Sequence, residues 1–418
     1  MYRDGIPGVD GAGPARRRSE RIRLFVVLAG LYVAQATPVY LVGTAALPIM
    51  REQGVSRTAI GMVGLLLLPT LLKFLWAPQI DRIRPFARAH RAGWIGLTQV
   101  GIIAALVGLS FVEPSEFGLF MAVGMVLSLL ISTQDIAIDG YATKHLAPAD
   151  RPIGNAIQGG GAAAGVILGG TASLVVYQNL GWQAAVLLVA AISLLPLAVV
   201  FLMHEEHSSG GSGSEKRATL RAFFSRPEAR RLLVVVLVYR SSEGLMTAME
   251  KPYLVDNGVA LDTIGYLTGG AAAVAGLAGS AAAAHLMMKA GSSTALGLFG
   301  LMRSLCYGWF ALHALGLVGG YYVLFGAAAG HALVRYMEIV ALYSLFMEMS
   351  SRDQPGTDFS IFACSQVLVF LAGMAIAGLL ADAVGYGPLF AFAAAISAAA
   401  TAFTVYRLAG RREPALAQ

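Results

Sequence analysis

Long apolar segments recur along this chain and are separated by short polar stretches, a pattern typical of a protein that crosses a membrane many times. A membrane-spanning helix needs roughly 20 apolar residues. We count twelve such segments in the 418 residues and predict that each one is a transmembrane helix. The predicted spans, numbered 1 to 12, are 24–49, 57–79, 92–112, 117–145, 153–178, 183–203, 231–254, 262–288, 294–315, 318–349, 357–381 and 386–408.

The composition agrees with this pattern. Hydrophobic residues make up 57% of the chain and charged residues 13%, whereas soluble domains carry about 25% charged residues. A chain this apolar would not remain soluble, so the lipid bilayer is its expected surrounding.

Basic residues are concentrated on one side of the predicted membrane. If the N-terminus is inside, the inner segments hold twenty-three Lys or Arg and the outer loops hold three. This positive-inside bias predicts that both termini lie in the cytoplasm. Nucleic-acid binding is therefore not needed to explain the net charge of +6.

One polar stretch divides the chain into two parts. Residues 204–230 contain SSGGSGS, which is a flexible linker composition. We therefore predict an all-α membrane protein with two six-helix bundles, at 21–203 and 231–410, joined by a cytoplasmic linker at 204–230. The ends, 1–20 and 411–418, are predicted to be cytoplasmic tails, the first of them disordered.

Five charged residues lie in the middle of apolar segments, where an ionisable side chain costs at least ~2.5–3.5 kcal/mol unless it faces a partner or water. They are Asp135 in span 4, Arg240 and Glu243 in span 7, and Arg335 and Glu338 in span 10. Both signs of charge at this depth indicate a polar path through the protein, which predicts a transporter.

Spans 7 and 10 each carry an Arg and a Glu three residues apart, on one helix face. These groups can neutralise one another locally so that each helix inserts. Alternatively, Arg240 and Glu243 pair with Arg335 and Glu338 between the spans and hold an anionic substrate or a coupling proton. We hypothesise that Glu243 or Glu338 carries the proton, with Asp135 as a further coupling group.

Other polar residues lie at similar depths in spans 1, 2 and 4. Asp139 shares a face of span 4 with Asp135, and its depth predicts an ion pair with Lys73 of span 2 that acts in gating. Arg303 in span 9 has no evident partner in the sequence.

Uncharged polar groups complete the candidate substrate site. We predict that Tyr32, Gln35, Gln134 and Tyr336 bind substrate together with the five charged residues. The alternative for the tyrosines is helix packing. Gly161, Gly165 and Gly169, spaced by four residues in span 5, predict close packing against another helix.

Two stretches resemble a known family. Residues 73–82, KFLWAPQIDR, end span 2, and residues 132–141, STQDIAIDGY, lie in span 4. Both resemble the AmpG-like branch of the major facilitator superfamily, which includes muropeptide permeases, acetyl-CoA transporters and the RhtX/FptX siderophore importers. The resemblance implies that the two bundles are related by an axis along the membrane normal and bind substrate between them, in a cavity lined by spans 1, 4, 7 and 10.

The resemblance also assigns a gating role to Asp81 and Arg82. These residues are similar to the superfamily's motif in the loop between spans 2 and 3. The leading Gly of that motif is Ala77 here and its trailing Gly-Arg-Arg is absent.

The chain length and the form QDIAIDGYA are most similar to the RhtX/FptX importers. This likeness implies import of a ferric siderophore by alternating access across the bacterial inner membrane, with a muropeptide as the alternative substrate. Because the chain has no nucleotide-binding motif, we expect coupling to the proton gradient. We expect a monomer without cofactor, metal site or nucleic-acid partner. A membrane-embedded enzyme or sensor is the alternative to a transport function, but no nucleophile motif or metal-ligand spacing supports an enzyme.

Overall fold

A computed structural model describes residues 14–86, 89–203, 218–259, 263 and 270–409. The α-helices in these ranges, numbered in chain order, are α1 (Pro14–Tyr40), α2 (Ala46–Glu52), α3 (Arg57–Met62), α4 (Leu68–Leu72), α5 (Ala77–Arg82), α6 (Arg91–Leu109), α7 (Phe117–His145), α8 (Arg151–Gly165), α9 (Ser173–Ile192), α10 (Leu195–Val200), α11 (Leu220–Phe224), α12 (Pro227–Tyr239), α13 (Glu243–Asp256), α14 (Ala272–Ala314), α15 (Tyr321–Met349), α16 (Pro355–Val384) and α17 (Tyr386–Ala409).

Ten continuous helical segments of the described residues are long and apolar enough to cross a membrane. Two of them, Pro148–Val200 with 53 residues and Ala272–Ala314 with 43, far exceed the roughly 20 residues that one crossing needs. Each is broken by a glycine with positive φ, Gly181 at 82° and Gly291 at 76°, a conformation that side chains with a Cβ rarely adopt. The protein is therefore a multi-pass helical membrane protein. The breaks favour twelve spans, but that count stays a prediction.

The ends of the predicted segments differ in part from the observed helices. Helix α1 begins at Pro14, inside the stretch predicted to be a disordered tail. Proline suits the first turn of a helix, and the Ala and Arg residues that follow are good helix formers. Helices α11 and α12 likewise begin inside the predicted linker. Residues 1–13, 204–217 and 410–418 lie outside the described part of the chain.

Several predicted spans are not continuous α-helices, among them span 1 with a π-helical turn at Leu41–Ala45 and span 5 with one at Val166–Ala172. Spans 2 and 7 depart further. Span 2 consists of α3, α4 and α5 with 3₁₀ turns at Val63–Leu67 and Lys73–Leu75. It contains Pro69 and Pro78, which lack the backbone N–H that a helix interior needs. In span 7, residues 240–242 form a turn between α12 and α13. This turn lies in the middle of the predicted membrane segment.

Glycines bring α8 against α1. A Cβ added at Gly161 would lie 2.8 Å from the Tyr32 Cβ, and one added at Gly165 would lie 2.5 Å from the Ala36 Cβ. One added at Gly169 would lie 2.0 Å from the carbonyl oxygen of Thr37. The close packing predicted from the four-residue spacing is confirmed.

The N-terminal half (α1 to α10) and the C-terminal half (α12 to α17) share an extensive interface. Helices α14 and α15 pack on α8, and α16 packs on α4, α5 and α7. A Cβ at Gly159 would meet the Ser280 hydroxyl at 2.1 Å. The faces of the two halves that carry the candidate site therefore oppose each other.

We predict that Gly169→Ala destabilises the protein, because the new methyl would overlap the backbone of α1. Overpacking of this kind costs about 1–3 kcal/mol, so the thermal unfolding midpoint in detergent should fall. Gly108→Ala is the matched control, since a Cβ there meets nothing within 4 Å. Equal midpoints for the two variants would contradict the packing.

Candidate substrate-transport site

Most of the charged residues singled out within the predicted spans form two clusters, one in each half. The N-terminal cluster consists of Lys73, Asp135 and Asp139 with the neighbours Tyr32, Gln35 and Gln158. The C-terminal cluster consists of Arg240, Glu243, Arg303, Arg335 and Glu338 with the neighbours Tyr239 and Tyr307. Each cluster draws on several helices, so helix packing assembles both.

In the N-terminal cluster, two carboxylates share one ammonium group. Lys73 forms an ion pair with Asp135 and lies 3.8 Å from the carboxylate of Asp139. Gln35 donates a 2.5 Å hydrogen bond to Asp135, and Tyr32 donates one of 3.4 Å to Asp139. The predicted Lys73–Asp139 contact is present, but Asp135 is the nearer partner of Lys73. When both carboxylates are ionised, the cluster carries one excess negative charge.

Glu338 anchors the C-terminal cluster. Its side chain is completely buried and lies 3.0 Å from the Arg303 guanidinium and 3.3 Å from that of Arg240. The Tyr239 hydroxyl donates a further 2.9 Å hydrogen bond to it. Two guanidinium groups thus lie against this buried carboxylate, so burial does not leave its charge uncompensated.

Glu243 has a different set of partners at the start of α13. Its carboxylate lies 3.5 Å from Arg335 and 3.8 Å from Arg240, and Tyr307 donates a 2.9 Å hydrogen bond to it. Arg240 therefore reaches Glu338, and Arg335 reaches Glu243. The predicted cross-pairing between spans 7 and 10 is confirmed.

Only two of the charged cluster members retain substantial exposure. The side chain of Arg335 is 42% exposed and that of Asp135 is 19% exposed, whereas the other members are 6% exposed or less. Arg335 lies over the Phe370 ring of α16 and interacts with Tyr40 of α1. Arg335 thus has neighbours in both halves of the protein.

Tyrosines connect the two clusters. Tyr343 of α15 lies within electrostatic range of Lys73 and Asp139 in one cluster and of Arg240 in the other. Tyr336 interacts with Tyr40 across the two halves. Of the predicted site residues, Tyr32 and Gln35 contact the N-terminal cluster, and Tyr336 contacts Tyr40 of the other half.

Not every predicted residue joins the site. Gln134 is buried against α6, where it donates a 2.7 Å hydrogen bond to Gln99. It lies on the face of α7 that packs inside the N-terminal half, because one residue along a helix turns a side chain by about 100° from its neighbour.

A separate set of contacts closes one side of the molecule, which we call the basic side because it carries Arg82, Arg91 and Arg226. Asp81 pairs with Arg91 and accepts hydrogen bonds from the backbone N–H groups of Thr357 at 2.6 Å and Gly356 at 3.3 Å. These N–H groups begin α16, so the carboxylate of the N-terminal half caps a helix of the C-terminal half.

The chain between the halves adds to this closure. Arg82 donates a 2.5 Å hydrogen bond to the carbonyl of Ala218, and Arg226 forms a 2.5 Å ion pair with Asp358. Of the four residues predicted for gating, Asp81 and Arg82 therefore lie in the basic-side closure. Lys73 and Asp139 lie in the N-terminal cluster instead.

Several residues of the site were not assigned a role from the sequence. Arg303 pairs with Glu338, which is on another helix, so no spacing within its own span could reveal the partner. Tyr239 and Tyr307 look like ordinary packing residues in the sequence. The sequence does carry one signal for Arg303: it is an arginine within a membrane span without an acidic residue nearby in the sequence, so it needs a partner on another helix.

The comparisons with known proteins agree with this architecture. The sequence profile of the Major Facilitator Superfamily matches residues 28–334. The chain belongs to the major facilitator superfamily.

The curated relatives extend the AmpG-like resemblance over most of the chain. The anhydromuropeptide permease of Escherichia coli K12 is 25% identical over 392 residues, which cover 90% of this chain and 79% of that protein. The putative transporter AmpG 4 of Rickettsia felis is 22% identical over 387 residues, covering 88% and 92%.

Solved structures share the fold. The Escherichia coli fucose–proton symporter FucP has a TM-score of 0.70 at 16% identity, covering 93% of this chain and 99% of that one. A bacterial homologue of the iron transporter ferroportin, in an outward-facing state, has a TM-score of 0.67 at 15% identity, covering 93% and 98%. At these identities the likeness concerns the fold alone.

We predict that Asp81→Asn opens the basic side, because it removes the charge that caps α16. Hydrogen bonds to charged groups contribute about 1.5–3 kcal/mol, so the closed population should fall about tenfold or more. Spin labels at Ile83→Cys and Arg352→Cys, after Cys306 and Cys364 are replaced, would measure the distance between the halves. Asp256→Asn is the control, since Asp256 pairs with Tyr386 away from this side. An unchanged distance distribution would contradict the closure.

We predict that Arg303→Met destabilises the protein because Glu338 loses one of its two buried partners. Breaking a buried ion pair costs about 3–5 kcal/mol. The double variant Arg303→Met/Glu338→Gln should recover part of the loss, since charge is removed from both sides. Thermal unfolding in detergent measures both, with the exposed Arg407→Met as control. A double variant no more stable than the single one would argue against the pairing.

Proposed function

We propose that this protein imports anhydromuropeptides into the cytoplasm across the bacterial inner membrane, driven by the proton gradient. The observation that carries the proposal is the likeness of nearly the whole chain to an anhydromuropeptide permease. The sequence motifs alone favoured a ferric siderophore, and muropeptide was the alternative. The relatives support the alternative better, and the site chemistry suits it.

The two clusters offer opposite charges to a ligand between the halves. An anhydromuropeptide is a sugar that carries a short peptide, so it presents carboxylates together with hydroxyl, amide and amino groups. Arg335, the most exposed member of the C-terminal cluster, is suited to a carboxylate because its guanidinium donates two parallel hydrogen bonds. Asp135 and Gln35 offer acceptors to the donor groups of the same ligand.

The basic-side closure defines the conformation within this proposal. If both termini lie in the cytoplasm, the closed side is the cytoplasmic side, and the space next to Arg335 opens outward. Alternating access then requires the contact between Asp81 and α16 to break, so that the two halves can rotate against each other about the clusters. The described state is thus the one that receives substrate from outside.

Arg335 gives a physical link between substrate and proton. A substrate carboxylate that binds Arg335 competes with Glu243 for the same guanidinium. A buried carboxylate that loses a cationic partner takes up a proton more readily. We therefore propose Glu243 as the proton carrier, whereas Glu338 keeps two arginines that do not face the ligand.

Purified protein in liposomes tests the function directly. We predict that an inward proton gradient drives accumulation of labelled anhydromuropeptide, and that Arg335→Gln lowers uptake about tenfold to a hundredfold, as expected for loss of a charge-assisted bond. Arg407→Gln, at the exposed end of α17, is the control. Gradient-driven uptake of a ferric siderophore with no uptake of the muropeptide would overturn the proposal in favour of the siderophore importer.

A further inference from the structure

We infer that Glu250 and His331 form a proton relay that connects the outer side of the C-terminal half to Glu243. The inference rests on the proposed proton-coupled transport and adds the route by which the proton reaches its carrier. Neither residue belongs to the two charge clusters.

The contacts run without a gap from Glu250 to Glu243. The Glu250 carboxylate lies 2.6 Å from Nδ1 of His331. The other ring nitrogen, Nε2, lies 3.4 Å from the Tyr307 hydroxyl and 3.7 Å from the Glu243 carboxylate. Tyr307 in turn donates a 2.9 Å hydrogen bond to Glu243. The imidazole ring therefore bridges two carboxylates through its two nitrogens.

Burial gives the relay a direction. The Glu250 side chain is 18% exposed, that of His331 is 4% exposed and that of Glu243 is completely buried. Glu250 lies seven residues after Glu243 in α13, about 10 Å farther from the basic side. Water on the side opposite the basic side can thus reach Glu250. Glu243 can exchange a proton with that water only through His331 and Glu250.

Among the described residues, the charged and titratable groups near His331 lie on the proposed route or beside it. They are Glu243 and Glu250 from α13, Tyr307 from α14 and Arg335 one turn farther along α15. Cys306 of α14 lies against Gly330, the residue before His331. The two carboxylates flank the ring, and Arg335 contacts Glu243 rather than the ring. This arrangement suits a ring that receives a proton on one side and releases one on the other.

The chemistry balances without any other reactant. A proton taken from outer water by Glu250 passes to Nδ1 of His331, and the ring becomes an imidazolium. The Nε2–H proton then moves to the Glu243 carboxylate, directly or through the Tyr307 hydroxyl, which donates its own proton as it accepts the new one. The ring is left neutral with its proton on Nδ1 and a bare Nε2. A swing of the side chain turns Nε2 toward a newly protonated Glu250, where it takes up the next proton, and the return swing brings an imidazolium with Nε2–H back to Glu243.

Two transport modes in liposomes test the relay. Gradient-driven accumulation requires net proton movement, whereas exchange of labelled for unlabelled anhydromuropeptide does not. We expect Glu250→Gln and His331→Gln to reduce accumulation by about a hundredfold, the lower end of the range for loss of a proton-transfer group, while exchange continues. Glu250→Asp should restore accumulation. His313→Gln is the matched control, because His313 lies in α14 and contacts Tyr253 instead.

The outcomes separate a relay from a structural contact. Glu250→Gln keeps a hydrogen bond to His331 but has no carboxyl proton to transfer. If Glu250 has only a structural role, this variant accumulates substrate normally, and that result would overturn the relay. Loss of exchange together with accumulation in both Gln variants would also overturn it. If the unaltered protein moves no anhydromuropeptide in either mode, the proposed function fails; failure of the relay alone leaves unaltered transport in place.

Discussion

The C-terminal half depends on a buried carboxylate that is neutralised by two guanidinium groups. Glu338 has no exposure and is held by Arg240, Arg303 and the Tyr239 hydroxyl. Taking such charges out of water is expensive, and only close partners compensate for it. Because the three partners come from α12, the turn after it and α14, this one group fixes how those segments pack against α15.

The same constraint explains why the other charges differ in role. A charge that is fully paired and buried holds helices together, and Glu338 with Arg303 is of this kind. In the proposed function, a charge that is paired yet partly exposed, such as Arg335 or Asp135, exchanges its partner for a ligand. The proposal thus separates structural from transport roles by exposure, although all these residues look alike in the sequence.

Closure of the basic side uses a different kind of interaction. Asp81 binds the N–H groups at the start of α16, where the helix dipole favours a negative charge. This contact joins the two halves far from the clusters. In the proposed transport cycle, ligand binding between the clusters biases a movement at the basic side, because both sites lie between the same two halves.

The apolar pattern by itself determined a multi-pass all-α membrane protein, and the intramembrane charges pointed to a transporter, because the bilayer penalises unpaired polar groups wherever they lie. Local spacing also identified the Arg–Glu faces of spans 7 and 10 and the glycine face of α8. Only the tertiary structure decided that Arg303 completes the Glu338 site, that Gln134 faces α6 and that Lys73 lies nearer to Asp135 than to Asp139. These contacts join helices that are distant in the sequence, and the periodicity of one helix contains no information about which neighbour it will meet.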